Sequence, residues 1–457
     1  MTMALKYRTE SDSLGSRKVP ENVLWGIQTL RAVENFQITG LNVDDEFIRS
    51  IAIVKKAATL ANLAIKELHP RIGTAIIKAL DEIVAGKHFD QFITDPIQGG
   101  ATTSINMNMN EVVANRALEI IGYTHGDYEV IHPNDHVNKA QSTNDVIPTA
   151  IRLTAYTLFA KLLDNFNYLD KALSRKAREF KGVIKLGRTH LQDAVPTTLG
   201  NEFAAYAALV RQDISRLKSA RSLLLSVNLG GTAIGTAVNA DPRYRKQAIK
   251  FLREISGYPF RAAPNLIAAT QDSFTLCHVS SALKIAAMNL SKMANDIRLM
   301  ASGPRGGLAE IFIPNLQPGS SIMPGKVNPV ILEVTNQVAY QVAGNDLTID
   351  LAAKAGQFEL NVMLPVLSHN LYQSIRILAN VSRILAEKCI LGIKANVKNC
   401  REHLDRSTAL ATEISALIGY EQAAKLAKES IKSGKGFLAL LLEKKLVTPK
   451  QLDKLVK

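Results

Sequence analysis

Apolar residues at Leu276, Val279, Leu283, Ala286, Leu290, Met293, Ile297 and Met300 recur at alternating steps of three and four. That spacing puts them on one face of a single helix. Phe203, Tyr206, Val210, Ile214, Leu217 and Leu224 repeat the pattern, as does the stretch from Leu367 to Leu391, and a shorter run steps through Val330, Val334, Val338 and Val342. All but the last predict helices well beyond the usual ~11–12 residues. A long apolar stripe has to be buried against another, which leaves a bundle of long antiparallel helices as the economical solution. Aromatic residues are only 6% of the chain while Ala, Leu, Ile and Lys are plentiful, and this favours helices over sheets. The predicted fold class is all-α. Alanine-rich faces invite further helices, so a homo-oligomer is expected, and the methionines in the stripes read as core.

The 457 residues suit about three domains. The chain reads as an N-terminal helical domain (1–142), a central long-helix bundle domain (143–395) and a small lysine-rich helical domain (396–457). In the first, Phe47, Ile51, Val54, Ala58 and Leu63 predict a helix within 44–68, after an irregular start punctuated by Leu14-Gly15 and Val19-Pro20. A second helix, over 105–118, has Thr or Ser before it as an N-cap signal. In the last domain, Thr448-Pro449-Lys450-Gln451-Leu452 reads as a helix start. Cys277, Cys389 and Cys400 are odd in number and lack metal-ligand spacing, so reduced thiols in a cytoplasmic protein are expected. Residues 1–18 are polar, without a signal peptide, and no stretch of ~18 uncharged apolar residues predicts a membrane span. The net charge of +14 is spread along the chain without an arginine-rich tail. Nucleic acid would suit such a charge, steering of a dianionic substrate accounts for it equally well, and a solvated basic surface without function is the plainest reading.

Breaks between the helices carry the polar clusters. His132 and His136 stand four apart, but Pro133 argues against a helix and no HExxH glutamate is present, so zinc is not expected. Gly230-Gly231-Thr232-Ala233-Ile234-Gly235-Thr236 lacks the GxGxxG spacing of a dinucleotide site. Gly319-Ser320-Ser321-Ile322-Met323-Pro324-Gly325-Lys326-Val327-Asn328-Pro329 is the richest cluster. Its glycines and prolines exclude a helix or strand. Its backbone N–H groups offer an anion a concavity, Lys326 adds a charge, and Ser320 an oxygen fit for a base or nucleophile. Five residues between Gly319 and Gly325, and Val327 after Lys326, rule out a phosphate loop. Composition alone is equally satisfied by a surface connection. His190 follows Gly-Arg-Thr at a break, whereas His69, His88, His125, His278, His369 and His403 read as structural.

Three blocks, GGATTSINMN (99–108), GRTHLQDAVPTTLG (187–200) and GSSIMPGKVNPV (319–330), resemble the signatures of the aspartase/fumarase superfamily over nearly the whole chain. Thr103-Ser104-Ile105-Asn106, Gln141-Ser142-Thr143-Asn144-Asp145 and Asn328-Pro329-Val330 resemble the aspartase branch more than the fumarases. The departures are Thr102 for a common Gly, Ala237 for a Gly, Leu364 for the Glu of the family's NVMEPV, a stretch over 412–420 without the family's Asn-Pro-His, and an end short of its usual last segment. The resemblance implies a three-domain all-α fold whose long helices form a twenty-helix core in a homotetramer, with each active site built from three subunits.

It also implies a chemistry: elimination of ammonia from aspartate to release fumarate. That requires removing a weakly acidic C3 proton and delocalising the carbanion into a carboxylate as a doubly charged aci-form, so a base and dense donors are needed. By resemblance Ser320 is the base, with Lys326 and loop N–H groups stabilising its alkoxide. Thr103, Ser142, Thr143 and the Ser321 N–H hold the carboxylate that becomes the aci-form. Lys326, Asn328 and Thr189 hold the other, His190 and Asn144 face the amino group, and Glu333 orients His190. No organic cofactor is implied. Some relatives are activated by magnesium, and no metal site is identifiable from the sequence. A fumarate hydratase on the same scaffold is the nearest alternative, and a non-catalytic basic scaffold or nucleic-acid-binding relative the remote one.

Overall fold

The computed structural model describes residues 6–448, so the helix start read at 448–452 lies outside the described residues beyond Thr448. The chain opens with a hairpin of β1 (Tyr7–Asp12) and β2 (Gly15–Pro20), with Tyr7 opposite Pro20. Helices α1 (Ile27–Asn35), α2 (Asp45–Ala64), α3 (Pro70–Val84) and α4 (Thr103–Ile120) follow. The long α5 (Thr143–Glu179) leads to a second hairpin, β3 (Ile184–Thr189) and β4 (Gln192–Thr198), then to α6 (Leu199–Leu223). Two-residue strands β5 (Ser226–Val227) and β6 (Arg261–Ala262) pair in parallel on either side of α7 (Tyr244–Ser256). Then come α8 (Leu266–Gln271), α9 (Phe274–Met300), β7 (Ile311–Phe312), α10 (Val330–Lys354) and α11 (Leu364–Lys388). β8 (Lys394–Ala395) pairs with β7, and α12 (Val397–Arg406), α13 (Ala411–Ile418), α14 (Tyr420–Ser433) and α15 (Phe437–Glu443) close the described chain.

The residues group into two compact units. The first takes 1–162, 216–284 and 341–377. Its α2 packs against α3 and α7, and α4 packs against α1 and α3. Ile51, Val54, Ala58 and Ala61 on α2 are fully buried, as the periodicity predicts. Asp44 begins α2 by accepting from Glu46 N (2.9 Å) and Phe47 N (3.3 Å), two of the donors a helix start leaves open. The second unit takes 163–215, 285–340 and 378–457. There Leu186 of β3 belongs to the same apolar cluster as Leu404, Leu410, Ile414, Leu426, Phe437 and Leu441 from α12 to α15.

The long helices end close to where the stripes predict, with one exception. The run from Val330 reads as short because Gly344, Asn345 and Asp346 interrupt the apolar positions after Val342, yet α10 reaches Lys354. Asn345 Nδ2 donates to Ser374 Oγ (3.0 Å) and Gln373 Oε1 (2.8 Å) on α11, and Asp346 accepts from Ser280 Oγ (2.7 Å) and Lys284 on α9. Partnered polar groups thus extend the helix where apolar ones stop. By length and composition α5 alone among the described helices meets the requirement for a membrane span, but 72% of its apolar window is buried in the protein, as befits a core helix.

Candidate active site

In the first unit two of the polar blocks meet. α4 starts behind three successive left-handed residues, Gly100 (φ 80°), Ala101 (φ 52°) and Thr102 (φ 71°). A β-branched residue there is a backbone outlier costing about 1–3 kcal/mol, held only where its surroundings over-determine it. Thr102 is fully buried and supplies no side-chain cap, contrary to the expected N-cap. The turn leaves Thr103 exposed in the first turn of α4, at the positive end of the helix. Three residues on, Asn106 Nδ2 donates to Thr143 Oγ1 (3.0 Å) and Asn138 Oδ1 (3.3 Å), which ties the first block to the start of α5.

α5 is capped by its own polar run. Ser142 N donates to Asp145 Oδ1 (2.9 Å) and Asn144 N to Ser142 Oγ (3.2 Å), so the serine hydroxyl keeps its proton for a ligand. The other oxygen of the buried Asp145 accepts from Gly230 N (2.9 Å) and Thr232 N (3.2 Å). Burial pushes this carboxyl up to about 6, against the backbone donors that favour its charged form. The Gly230–Thr236 segment, unassigned by its sequence, is therefore the partner of the α5 start. Asn144 Nδ2 donates to Ala233 O (2.8 Å), which turns the amide carbonyl away as a free acceptor.

The segment before α5 corrects a second expectation. Pro133–Val137 forms one π-helical turn despite Pro133, which sits at the first position where no N–H is needed. His132 Nδ1 accepts from Asn134 N and Asp135 N (both 3.2 Å), and His136 Nδ1 from His132 N (2.8 Å). The backbone thus occupies one nitrogen of each ring. No group of three or more His, Cys, Asp or Glu among the described residues is placed to hold a metal ion.

The second unit holds the other site residues. Its 319–329 loop is closed at the base: Gly319 N donates to Lys326 O (2.7 Å) and Asn328 Nδ2 to Gly319 O (2.7 Å). A Cβ on Gly319 would lie 2.7 Å from Lys326 O, so only glycine allows this closure. Within the loop, Ser320 Oγ accepts from Met323 N (2.9 Å) and Ile322 N (3.1 Å). Donors aimed at a hydroxyl oxygen stabilise its deprotonated form. Ser321 and Lys326 are exposed, and Lys326 makes no ion pair among the described residues. Glu333 lies in the first turn of α10, as its spacing predicts.

Thr189 and His190 lie at the tip of the β3–β4 hairpin, which the sequence shows only as a break. His190 (φ 55°) and Leu191 (φ 58°) form its two-residue turn, both left-handed and both exposed. The base of this hairpin is charged and buried. Glu310, fully buried, accepts from Arg188 Nη1 (2.7 Å) and pairs with Lys185 Nζ (2.7 Å), while Arg188 Nη2 also meets His403 Nδ1 (3.2 Å) on α12. Charged residues that look solvent-facing in the sequence thus anchor the hairpin, and no periodicity signals it.

Within one chain the candidate residues fall into three groups: Thr103 with Ser142, Thr143 and Asn144; Thr189 with His190; and Ser320, Ser321, Lys326 and Asn328 with Glu333. Among the described residues no hydrogen bond or ion pair joins Glu333 to His190, or the hairpin tip to the loop. Each group offers hydroxyl, amide or cationic donors, and one offers a polarised serine oxygen. Together they suit a small anion that undergoes proton abstraction.

Comparison with known proteins defines the chain as a lyase. The lyase family model matches residues 15–344 and that of the fumarase C C-terminus residues 410–457, and the chain belongs to this family, the aspartase/fumarase superfamily. It is 53% identical to the aspartate ammonia-lyase of Bacillus subtilis, over 98% of this chain and 94% of that one. It is 50% identical to the aspartate ammonia-lyase of Helicobacter pylori, over 98% and 97%. Among solved structures it resembles the fumarate lyase:delta crystallin from Brucella melitensis bound to cobalt, with a TM-score of 0.96 and 48% identity over 99% of this chain and 98% of that one. The class II fumarase from Schistosoma mansoni superposes with a TM-score of 0.94 at 35% identity, over 99% and 98%. The long-helix fold expected from the stripes is therefore borne out.

Proposed function

We propose that this chain is an aspartate ammonia-lyase, a carbon–nitrogen lyase that reversibly converts L-aspartate to fumarate and ammonia. The observation that carries the mechanism is the pair of backbone N–H groups on Ser320 Oγ. They favour the alkoxide that must take the C3 proton. The electron pair left on C3 spreads into the neighbouring carboxylate, held as the aci-form by Thr103, Ser142, Thr143 and the Ser321 N–H. Its collapse forms the C2–C3 double bond and expels the amine from C2. Lys326, Asn328 and Thr189 hold the second carboxylate. The free carbonyl of Asn144 and the His190 ring meet the ammonium, with Glu333 orienting His190. Incubation with L-aspartate should yield fumarate, by its ultraviolet absorbance, and ammonium in equal amounts; fumarate without ammonium, or neither, would remove the assignment.

The family likeness supports a homotetramer in which each site takes one group from each of three subunits. Leu347 (61% exposed), Leu351 and Tyr340 form an uncovered apolar row on α10, as the core of such an assembly requires. The reaction requires no organic cofactor, because base and donors come from side chains and backbone. A cytoplasmic location fits the cysteines: Cys277, Cys389 and Cys400 are free, and burial pushes their thiols up to about 12, 12 and 11. They remain protonated and inert at neutral pH.

A further inference from the structure

Lys55 lies on α2, outside every polar block, and is fully buried. Its ammonium donates to Asn138 Oδ1 (3.1 Å) and Gln141 Oε1 (3.2 Å), both neutral amides. No carboxylate stands within ion-pair distance of it among the described residues; the charge of Asp145 acts from further away. The 138–142 strip it meets is wound tightly. Ala140 is left-handed (φ 58°), Asn138 Nδ2 donates to Gln141 O (3.2 Å), and Gln141 Nε2 donates to Val137 O (3.0 Å) and Lys139 O (3.3 Å). One turn pair further along α2, Asn62 Nδ2 donates to Lys139 O (2.9 Å).

Two amides are adequately served by neutral donors. A lysine here adds a buried positive charge, which is costly unless an opposite charge arrives. The acceptor it shares, Asn138 Oδ1, is also bonded by Asn106 Nδ2, and that same nitrogen bonds Thr143 Oγ1. We propose that Lys55 is a positioning residue for the dicarboxylate: it fixes the Asn138–Asn106–Thr143 chain and lends the site a buried cation that only the bound dianion fully balances. The inference rests on the aspartate reading of the site. Burial draws the ammonium down to about 7, with Asp145 acting the other way, so the empty site holds this charge poorly and a dianion favours it.

The test uses succinate, a non-reacting dianion, as competitive inhibitor of the full-length enzyme, alongside thermal unfolding. Gln141→Glu keeps the size and places a carboxylate against Lys55, so it cancels the charge; Gln141→Met gives up the same bonds from Nε2 to Val137 O and Lys139 O without adding charge and serves as its control. Gln141→Glu should raise the succinate Ki about tenfold or more above that of Gln141→Met. Lys55→Met should raise Ki similarly and lower kcat. A purely structural lysine predicts the same Ki for Gln141→Glu as for Gln141→Met, and that result overturns the proposal. If Lys55→Met does not fold, the Gln141 pair decides alone. Failure of the wild type to deaminate aspartate would remove the underlying reading, whereas normal wild-type activity with equal Ki in Gln141→Glu and Gln141→Met would sink the role of Lys55 only.

Discussion

Ser320 is the residue on which the chemistry turns, and its environment is local. The loop closure between Gly319 and Asn328 fixes the backbone, and the fixed backbone turns Ile322 N and Met323 N onto Ser320 Oγ. Ser320→Ala removes the proton acceptor while leaving those two donors in an exposed loop, where water replaces the lost partner. The variant should fold normally, by circular dichroism and thermal unfolding, and lose at least the ~10²–10⁴ in kcat that general base catalysis contributes. Retention of more than about a tenth of the wild-type rate would mean another group takes the proton. The loop was legible in the sequence because glycine, proline, hydroxyls and one lysine in eleven residues have few structural uses together. Lys55, Asp145 and Glu310 were not legible: a charged residue in a helical or loop pattern looks solvated until the fold buries it.

Elements differ in how well their sequences announce them. The long helices were plain because a stripe repeated over many turns leaves little freedom. The two hairpins were hidden. β3 carries Lys185, Gly187 and Arg188, and its charges point at Glu310, so the alternation that marks a strand is absent. The π-turn at 133–137 was hidden behind a proline that is harmless at the first position. Between elements, a checkable link joins α3 to α4. Arg116 grips Glu82 through Nε (2.7 Å) and Nη2 (2.9 Å), and His88 Nε2 meets the same carboxylate at 2.8 Å. The Arg116 guanidinium above all holds the Glu82 carboxyl down at about 2 from its usual 4.5. A depressed carboxyl stabilises the fold above its unfolded value and loses that contribution as pH falls through the folded one. The pair is partly exposed, so solvent screening limits it to ~1 kcal/mol. Glu82→Gln should therefore unfold at lower urea than wild type at pH 7, with the gap closing between about pH 4.5 and 2. An equal gap at all pH values would show that the ion pair is not its source.

At the scale of the whole molecule, a working site needs all three groups to meet, and the proposal is that they do so in an assembly. Mixing inactive Ser320→Ala and His190→Ala proteins under subunit exchange should restore part of the activity, since some sites then take an intact loop from one variant and an intact hairpin tip from the other. No recovery despite proven exchange would contradict composite sites. The assignment to aspartate over malate rests on leaving-group recognition. An ammonium brings three donors and needs acceptors, and Asn144 presents a carbonyl that Ala233 has turned outward. A site with unpaired acceptors discriminates strongly against a substrate lacking the matching donors. Leu364, the departure from the family's NVMEPV, is buried at the start of α11. The most direct measurement is kcat/KM for L-aspartate and L-malate, each followed by the appearance of fumarate. The account predicts that aspartate exceeds malate by at least ~10²; a value for malate equal to or above that for aspartate would contradict it.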